Sequence, residues 1–330
     1  MKKIAINGFG RIGRIVFRII EEMDDMEVVA INAPSDSETL AYLLKYDTNY
    51  KTYDKEITYD DSHLFVGGRK VLVYHELNPI ALPWKDLNID VVLECTGKFT
   101  KKEDAMLHVD AGAKKVLISA PGKGDIKTIV YNVNDDKLTD DDIIVSAASC
   151  TTNCLAPVLK VLDDNFKIVK GNMTTIHAYT NDQVTQDGSH KKGIYERRGR
   201  ACAENIVPTS TGAAKAIGQV LPNLEGKILG TAIRVPVPDG SLIDLIIELE
   251  KRTNKEELNK TFLTNVNETL HYTEDPVVSS DIIGSTCGAT VDANLTNVIE
   301  VDGKQLVHIV AWYDNEMGYS HQMVGTLKKM

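Results

Sequence analysis

The stretch SAASCTTNC, residues 146–154, sets Cys150 among small and hydroxyl residues immediately ahead of the apolar run LAPVLKVLDD. A helix N-terminus favours negative charge, so a cysteine opening a helix over residues 150–164 is expected to have a lowered pKa and a populated thiolate. Ser149, Thr151 and Thr152 supply hydroxyl groups where an inert cysteine would have apolar cover. The pattern points to a nucleophile; the competing reading is a small buried cysteine that simply starts a helix. Cys154 lies one turn further on, within an apolar face, and reads as packing. A nucleophilic thiol wants a base, and TTIHAYTND at 174–182 offers His177 at a strand end, where a histidine also serves structure. Arg234 in AIRVPVP and Arg200 in ERRGRACAEN are candidates for an anionic substrate, because guanidinium groups grip phosphate with two bonds. PTSTGAAKA at 208–216 is a hydroxyl-rich turn entering a helix, again a potential anion site. The cysteines lack the spacing of metal ligands, so no metal site is expected.

The elements that must position these groups change character near the middle of the chain. KKIAING at 2–8 is a short apolar strand, RIGRIVFRIIEEM at 11–23 has helical periodicity, and EVVAIN at 27–32 is a second strand, which together make one βαβ unit. Between strand and helix stands Gly8-Phe-Gly10-Arg-Ile-Gly13, a G-x-G-x-x-G whose glycines permit a tight turn and close approach of backbone to a pyrophosphate. Alone this is a glycine-rich turn; inside a βαβ unit it reads as dinucleotide binding. Further strands are expected at 91–97, 114–120 and 142–148, and Gly67-Gly68 marks an inserted hairpin within 50–75. After residue 164 the runs are longer and alternate, as in GNMTTIHAYT, GKILGTAIRVPV, SLIDLIIELE and KQLVHIVAWYD, the signature of an antiparallel sheet with one covered face. NKEELNKTFLTNV and the closing MGYSHQMVGTLKKM read as helices. The polar stretch 181–200 is too long for a connector and is expected to be a functional or interface loop.

Length and composition limit the class. A chain of 330 residues favours two domains, and 43% hydrophobic with 25% charged residues is ordinary for a water-soluble globular protein. Its N-terminus does not read as a signal peptide, and an odd set of five cysteines without framework spacing suggests reduced thiols in the cytoplasm. A formal charge of −10 argues against nucleic-acid binding as the main role, and no apolar run is long enough for a membrane helix.

The chain resembles the phosphorylating glyceraldehyde-3-phosphate dehydrogenases through INGFGRIGR, LLKYDT, LECTGKFT, AGAKKVLISAP, SAASCTTNCLAPV, TTIHAYTNDQ, PTSTGAAKA, RVPVPDGSLIDL and AWYDNEMGYS. The resemblance implies an α/β fold with a Rossmann-type parallel sheet domain at 1–149, completed by a C-terminal helix at 316–330. It also implies an α+β catalytic domain at 150–315 with a mostly antiparallel sheet, and a homotetramer. The loop 181–200 would be the S-loop, lying at a subunit interface near the cofactor. By resemblance, the Cys150 thiolate attacks the aldehyde, His177 takes the hydroxyl proton as hydride passes to the nicotinamide, and phosphate releases the acyl group from the resulting thioester. Thr180, Asp182 and Arg234 would hold the phosphate of glyceraldehyde 3-phosphate. Ser149, Thr151, Thr211, Gly212 and Arg200 would hold the attacking inorganic phosphate, with Arg197 or Arg198 as alternatives to Arg200. Arg11, Ile12, Thr96, Ser119, Asn315 and Tyr319 would touch the cofactor beside Gly8, Gly10 and Gly13.

Departures from the family pattern concern cofactor choice. About 20 positions past the glycine turn an NAD-binding unit wants a carboxylate for the ribose 2′-hydroxyl, and here the count reaches Ala33. Gly188-Ser189 stands where NAD-specific relatives commonly carry Leu-Pro. Ser189, Ser35 or Lys191 would suit a 2′-phosphate, so NADP is expected alone or beside NAD, together with a biosynthetic direction. Alternatively Asp36 takes over the 2′-hydroxyl and the enzyme stays NAD-specific. Leu77 and Met317 also depart from the common residues. Two other readings stay open: an erythrose-4-phosphate dehydrogenase using the same thiolate, and a protein whose chief role is binding.

Overall fold

The computed structural model describes all 330 residues, and its contacts divide them into two compact units. Unit 1 holds residues 1–129, 135–149 and 323–330; unit 2 holds 130–134 and 150–322. The sequence places the boundary at 149/150 and assigns all of 316–330 to the first domain. In the structure the short run 130–134 joins unit 2, and the terminal helix is shared, only residues from 323 onward counting with unit 1.

Unit 1 is a nine-stranded sheet: β1 (Lys2–Asn7), β2 (Met26–Asn32), β3 (Ile57–Asp60), β4 (His63–Val66), β5 (Arg69–Tyr74), β6 (Val91–Glu94), β7 (Lys115–Ile118), β8 (Lys127–Thr128) and β9 (Ile144–Ser146). The spatial order is β3-β4-β5-β2-β1-β6-β7-β9-β8, with only the β3-β4 and β4-β5 pairs antiparallel. The inserted hairpin therefore does more than the sequence suggests, since β5 both closes it and pairs in parallel with β2. Helices α1 (Arg11–Ile20), α2 (Ser37–Lys45), α3 (Trp84–Leu87) and α4 (Lys102–Asp110) connect the strands. Each inner strand is an apolar run buried on both faces; Ala5, Val92, Val116 and Ile118 pack with Trp84 and Ile89 in one core cluster. From β1 the chain moves to β2 on one side and later to β6 on the other, and such a reversal opens a crevice at the carboxyl ends of the strands.

Unit 2 begins with α5 (Cys150–Phe166) and builds an eight-stranded sheet from β10 (Ile168–Ala178), β11 (Val207–Ser210), β12 (Ile228–Val235), β13 (Ser241–Leu249), β14 (Leu270–Thr273), β15 (Ala289–Asp292), β16 (Asn297–Val301) and β17 (Lys304–Tyr313). Its other helices are α6 (Ala213–Val220), α7 (Lys255–Thr264), α8 (Ser279–Ile282) and the first part of α9 (Met317–Lys329). Most pairs are antiparallel. Alternation suggests the same for β10 and β12, yet these two run parallel, because the long crossover through β11 and α6 returns the chain to the starting end of the sheet. The pairing sets His177 opposite Arg234. No helix in either unit is long and apolar enough to cross a membrane.

Candidate active site

Unit 1 carries a cradle made of backbone. Gly8 adopts φ +96°, and a Cβ there would lie 2.7 Å from the Cys95 carbonyl carbon; a Cβ on Gly13 would lie 2.2 Å from the Gly8 carbonyl oxygen. Only glycine lets β1, α1 and the turn after β6 come this close. Gly10 caps α1 without a side-chain hydrogen bond, and a Cβ there would meet nothing within 4 Å. An uncapped helix start with open space beside it, at the carboxyl ends of parallel strands, fits the pyrophosphate of a dinucleotide. Ile12 lies in the first turn of α1 and is half-buried. The Arg11 guanidinium is held in an ion pair with Asp47. Thr96 donates its backbone N–H to Glu94, and its hydroxyl hydrogen-bonds the same carboxylate. Ser119 is fixed through its backbone N–H to the Glu94 carbonyl. Ala33 is buried at the end of β2, its N–H donated to the Tyr74 carbonyl.

Unit 2 carries the reactive pair. Cys150 is the first residue of α5, and its Sγ lies 3.4 Å from His177 Nε2. The residue two before it, Ala148, has φ +59° and is fully buried, a left-handed bend that turns the chain from β9 into the helix. His177 Nδ1 is 2.7 Å from the Ala178 carbonyl oxygen, which fixes the proton on Nδ1, and Arg234 Nη1 donates to the same oxygen at 2.9 Å. Nε2 is then the bare nitrogen and accepts from the thiol. Burial pushes the Cys150 thiol up, opposed by the charge of Arg234 and by the Thr151 N–H. Burial, reinforced by Arg234, lowers His177 to about 3. Desolvation thus opposes the lowering expected from the helix N-terminus, while Arg234 and the Thr151 N–H act with it.

A cationic cluster adjoins the pair. Arg234 Nη1 also donates to Thr180 Oγ1 at 3.2 Å, while its buried Nε has no hydrogen-bond partner, a donor left over for an anion. Asp182 is paired with Arg198 and with Lys191 Nζ at 2.6 Å; burial raises its pKa, but these two cations outweigh burial and hold it at about 2. Arg198 donates further to Thr209 Oγ1 at 3.1 Å and to the Ser210 carbonyl at 3.2 Å. It is therefore Arg198 that lies against the PTSTG turn. Arg200, the residue expected there, pairs with Asp187 at 3.0 Å on the exposed side of the loop. Gly199, the last residue of the turn Arg197–Gly199, lies between the two, and a Cβ there would be 2.5 Å from the Gly188 carbonyl oxygen. Thr211 Oγ1 accepts from the Ala213 N–H, and Gly212 leaves open space at the start of α6. Ser149 directly precedes Cys150 in the chain, and Ser189 is exposed in the loop.

One set of hydroxyls was not legible. Thr175 donates to the Leu242 carbonyl, so it accepts from Tyr313 O–H at 2.8 Å, and Tyr313 in turn accepts from Thr151 O–H at 2.9 Å. Thr151, expected to face inorganic phosphate, is 5% exposed and turned inward onto Tyr313. The Tyr313 ring meets His177 edge to face at 5.9 Å, so this chain braces helix start and base together. The signal lay in AWYDN, where Tyr313 ends a buried strand with an oxygen that must find a partner. Beyond it, Ser241 Oγ accepts from the Ala178 N–H at 3.0 Å and donates to Asn315 Oδ1 at 2.6 Å, tying Asn315 to the end of β10. Tyr319 is buried in α9.

A model of the glyceraldehyde 3-phosphate dehydrogenase NAD binding domain matches residues 2–102, and a model of the C-terminal domain matches residues 149–315. The chain is 56% identical over 328 residues to the glyceraldehyde-3-phosphate dehydrogenase of Clostridium pasteurianum, covering 99% of this chain and 98% of that one. It is 55% identical over 327 residues to that of Clostridium acetobutylicum, covering 99% and 98%. Identity to the Streptococcus pyogenes enzyme is 51% over 327 residues, covering 99% and 97%.

Proposed function

The chain belongs to the glyceraldehyde-3-phosphate dehydrogenase family and is an oxidoreductase of that type, and on this premise we propose that it converts glyceraldehyde 3-phosphate and inorganic phosphate to 1,3-bisphosphoglycerate, reversibly, with NAD or NADP. The observation that carries the reading is the 3.4 Å contact of Cys150 Sγ with His177 Nε2 beside an arginine whose buried Nε lacks a partner.

The free thiol is protonated, so its proton must leave as sulfur attacks. His177 Nε2, the bare nitrogen, takes it while Sγ bonds the aldehyde carbon, then returns it to the new oxyanion. The dinucleotide, when bound, supplies the hydride acceptor for oxidation of this adduct. His177 takes the hydroxyl proton in that step, and a thioester remains on Sγ. Phosphate attacks the thioester carbon, the C–S bond breaks, and His177 gives its proton back to sulfur. Arg234, Thr180 and Asp182 position the substrate phosphate, while Arg198, with Ser149, Thr211 and Gly212, holds the attacking one. The imidazolium is short-lived, as burial and Arg234 disfavour its charge.

The glycine cradle would hold the pyrophosphate. Ala33 places no carboxylate at the ribose, which removes the repulsion that excludes a 2′-phosphate. Asp36 caps α2 by accepting from the Thr39 N–H at 2.8 Å, and Lys191 is committed to Asp182, so neither is set aside for the ribose. Exposed apolar side chains in and near the S-loop, with Tyr195 93% and Ile194 79% exposed, support assembly into a homotetramer.

Initial rates of nicotinamide reduction by the purified protein, with glyceraldehyde 3-phosphate and phosphate, test the reading. Turnover with one or both dinucleotides, lost by about four orders of magnitude in Cys150→Ser, is expected. Activity that survives this substitution, or turnover of erythrose 4-phosphate in preference, would overturn it.

A further inference from the structure

His75 stands at the position where the sequence lacks a carboxylate. β2 and β5 pair in parallel with Asn32 opposite Tyr74, so the next residues, Ala33 and His75, face each other just past the strand ends. The side chain of Asn32 locks this corner. It donates to the Glu76 carbonyl and accepts from the Glu76 N–H, both at 2.8 Å, continuing the ladder one step beyond the strands. Across the corner, His75 Nδ1 is 2.9 Å from the Ala33 carbonyl oxygen. That spacing puts the proton on Nδ1 and leaves Nε2, on the opposite edge of the ring, as an acceptor. His75 is exposed, so Nε2 is open to a ligand at the carboxyl end of β2.

We propose that His75 is the residue that reads the 2′-position of the adenosine ribose, in place of the carboxylate missing at Ala33. Neutral, its Nε2 accepts from the 2′-hydroxyl of NAD. Against a 2′-phosphate the same nitrogen takes a proton, from solvent or from the phosphate monoanion, and donates it in a charge-assisted bond. One side chain thereby serves both dinucleotides, which neither an aspartate nor an arginine does. The charged groups near it are Asp36, the N-cap of α2, and its own chain neighbour Glu76. Asp36 is turned to the Thr39 amide, and the Thr39 hydrogen bonds hold its pKa low. The proposal rests on the dinucleotide-dependent reading above, but its test is one of binding.

Dissociation constants for NAD, 2′-deoxy-NAD and NADP, measured by calorimetric titration of the full chain, decide it. Asparagine retains a donor near Nδ1 for the Ala33 carbonyl and lacks the far nitrogen. The wild type is expected to prefer NAD over 2′-deoxy-NAD by about tenfold, and His75→Asn to erase that preference while weakening NADP by about tenfold or more. If His75→Asn discriminates as the wild type does, the proposal fails. If Asp36→Ala erases the preference and His75→Asn does not, Asp36 is the reader. Absence of binding by the wild type to all three ligands would overturn the dehydrogenase reading itself. Unchanged thermal unfolding of His75→Asn checks that the corner still folds.

Discussion

The cradle of unit 1 and the reactive cluster of unit 2 do their work with different parts of the chain. Around Gly8, Gly10 and Gly13 the groups proposed to hold the dinucleotide belong to the backbone, and side chains matter by their absence. Around Cys150 the groups are side chains from α5, β10, β12, β17 and the S-loop, brought together by strand register. A backbone site tolerates no added atom at its contacts, whereas a side-chain site fails only at the atoms that face the reaction.

The largest effect should come from breaking the cradle. Gly13→Ala puts a methyl 2.2 Å from the Gly8 oxygen, where backbone must move. A stability loss of about 2–5 kcal/mol and dinucleotide binding weakened beyond measurement are expected, read by thermal unfolding and titration. Gly10→Ala makes the contrast: φ is −76° and the space is open. It should unfold like the wild type yet bind dinucleotide about tenfold more weakly, since its methyl points where the pyrophosphate would lie. Equal destabilisation by both would mean that the glycines serve only the fold.

A smaller effect separates two arginines. Arg198→Ala should lower kcat/KM for inorganic phosphate by about 100-fold, as it removes a charged donor from the Thr209–Ser210 turn. Arg200→Ala should change it by roughly threefold or less, because its ion pair with Asp187 is exposed. The reverse order would return the phosphate role to Arg200.

What was legible follows the same divide. The glycine spacing, the βαβ start and the cysteine before an apolar helix are local patterns, and local patterns survive in a single sequence. Alternation located β10, β12, β13 and β17, but it carries no information on which strands pair or in which direction. The parallel β10-β12 pairing, and with it the contact of Arg234 with His177, was therefore out of reach. The choice between Arg198 and Arg200 depends on a tight turn at Gly199, where one residue's shift reverses the facing side chain. The burial that opposes the Cys150 thiolate was out of reach for a related reason, as a helix N-terminus is visible in sequence and the depth of burial around it is not.

The smallest effect is a matter of protons and tests that burial directly. His177 is held neutral down to about pH 3, whereas in the unfolded chain an imidazole titrates near about 6.5. Above that value both states are neutral and the residue adds no pH dependence. As pH falls below it, the unfolded state takes up a proton that the folded state refuses, so stability drops until pH reaches the folded value. The slope approaches about 1 kcal/mol per pH unit, or a few degrees in Tm. His177→Asn keeps a donor for the Ala178 carbonyl and removes the titration. Between pH 7 and 5 the wild type should lose a few degrees more than this variant. Parallel curves would show that water or an anion reaches the imidazole and lets it charge in the folded state, and the same access would let the Cys150 thiolate form unaided, returning the site to the charged pair that the helix N-terminus alone suggests.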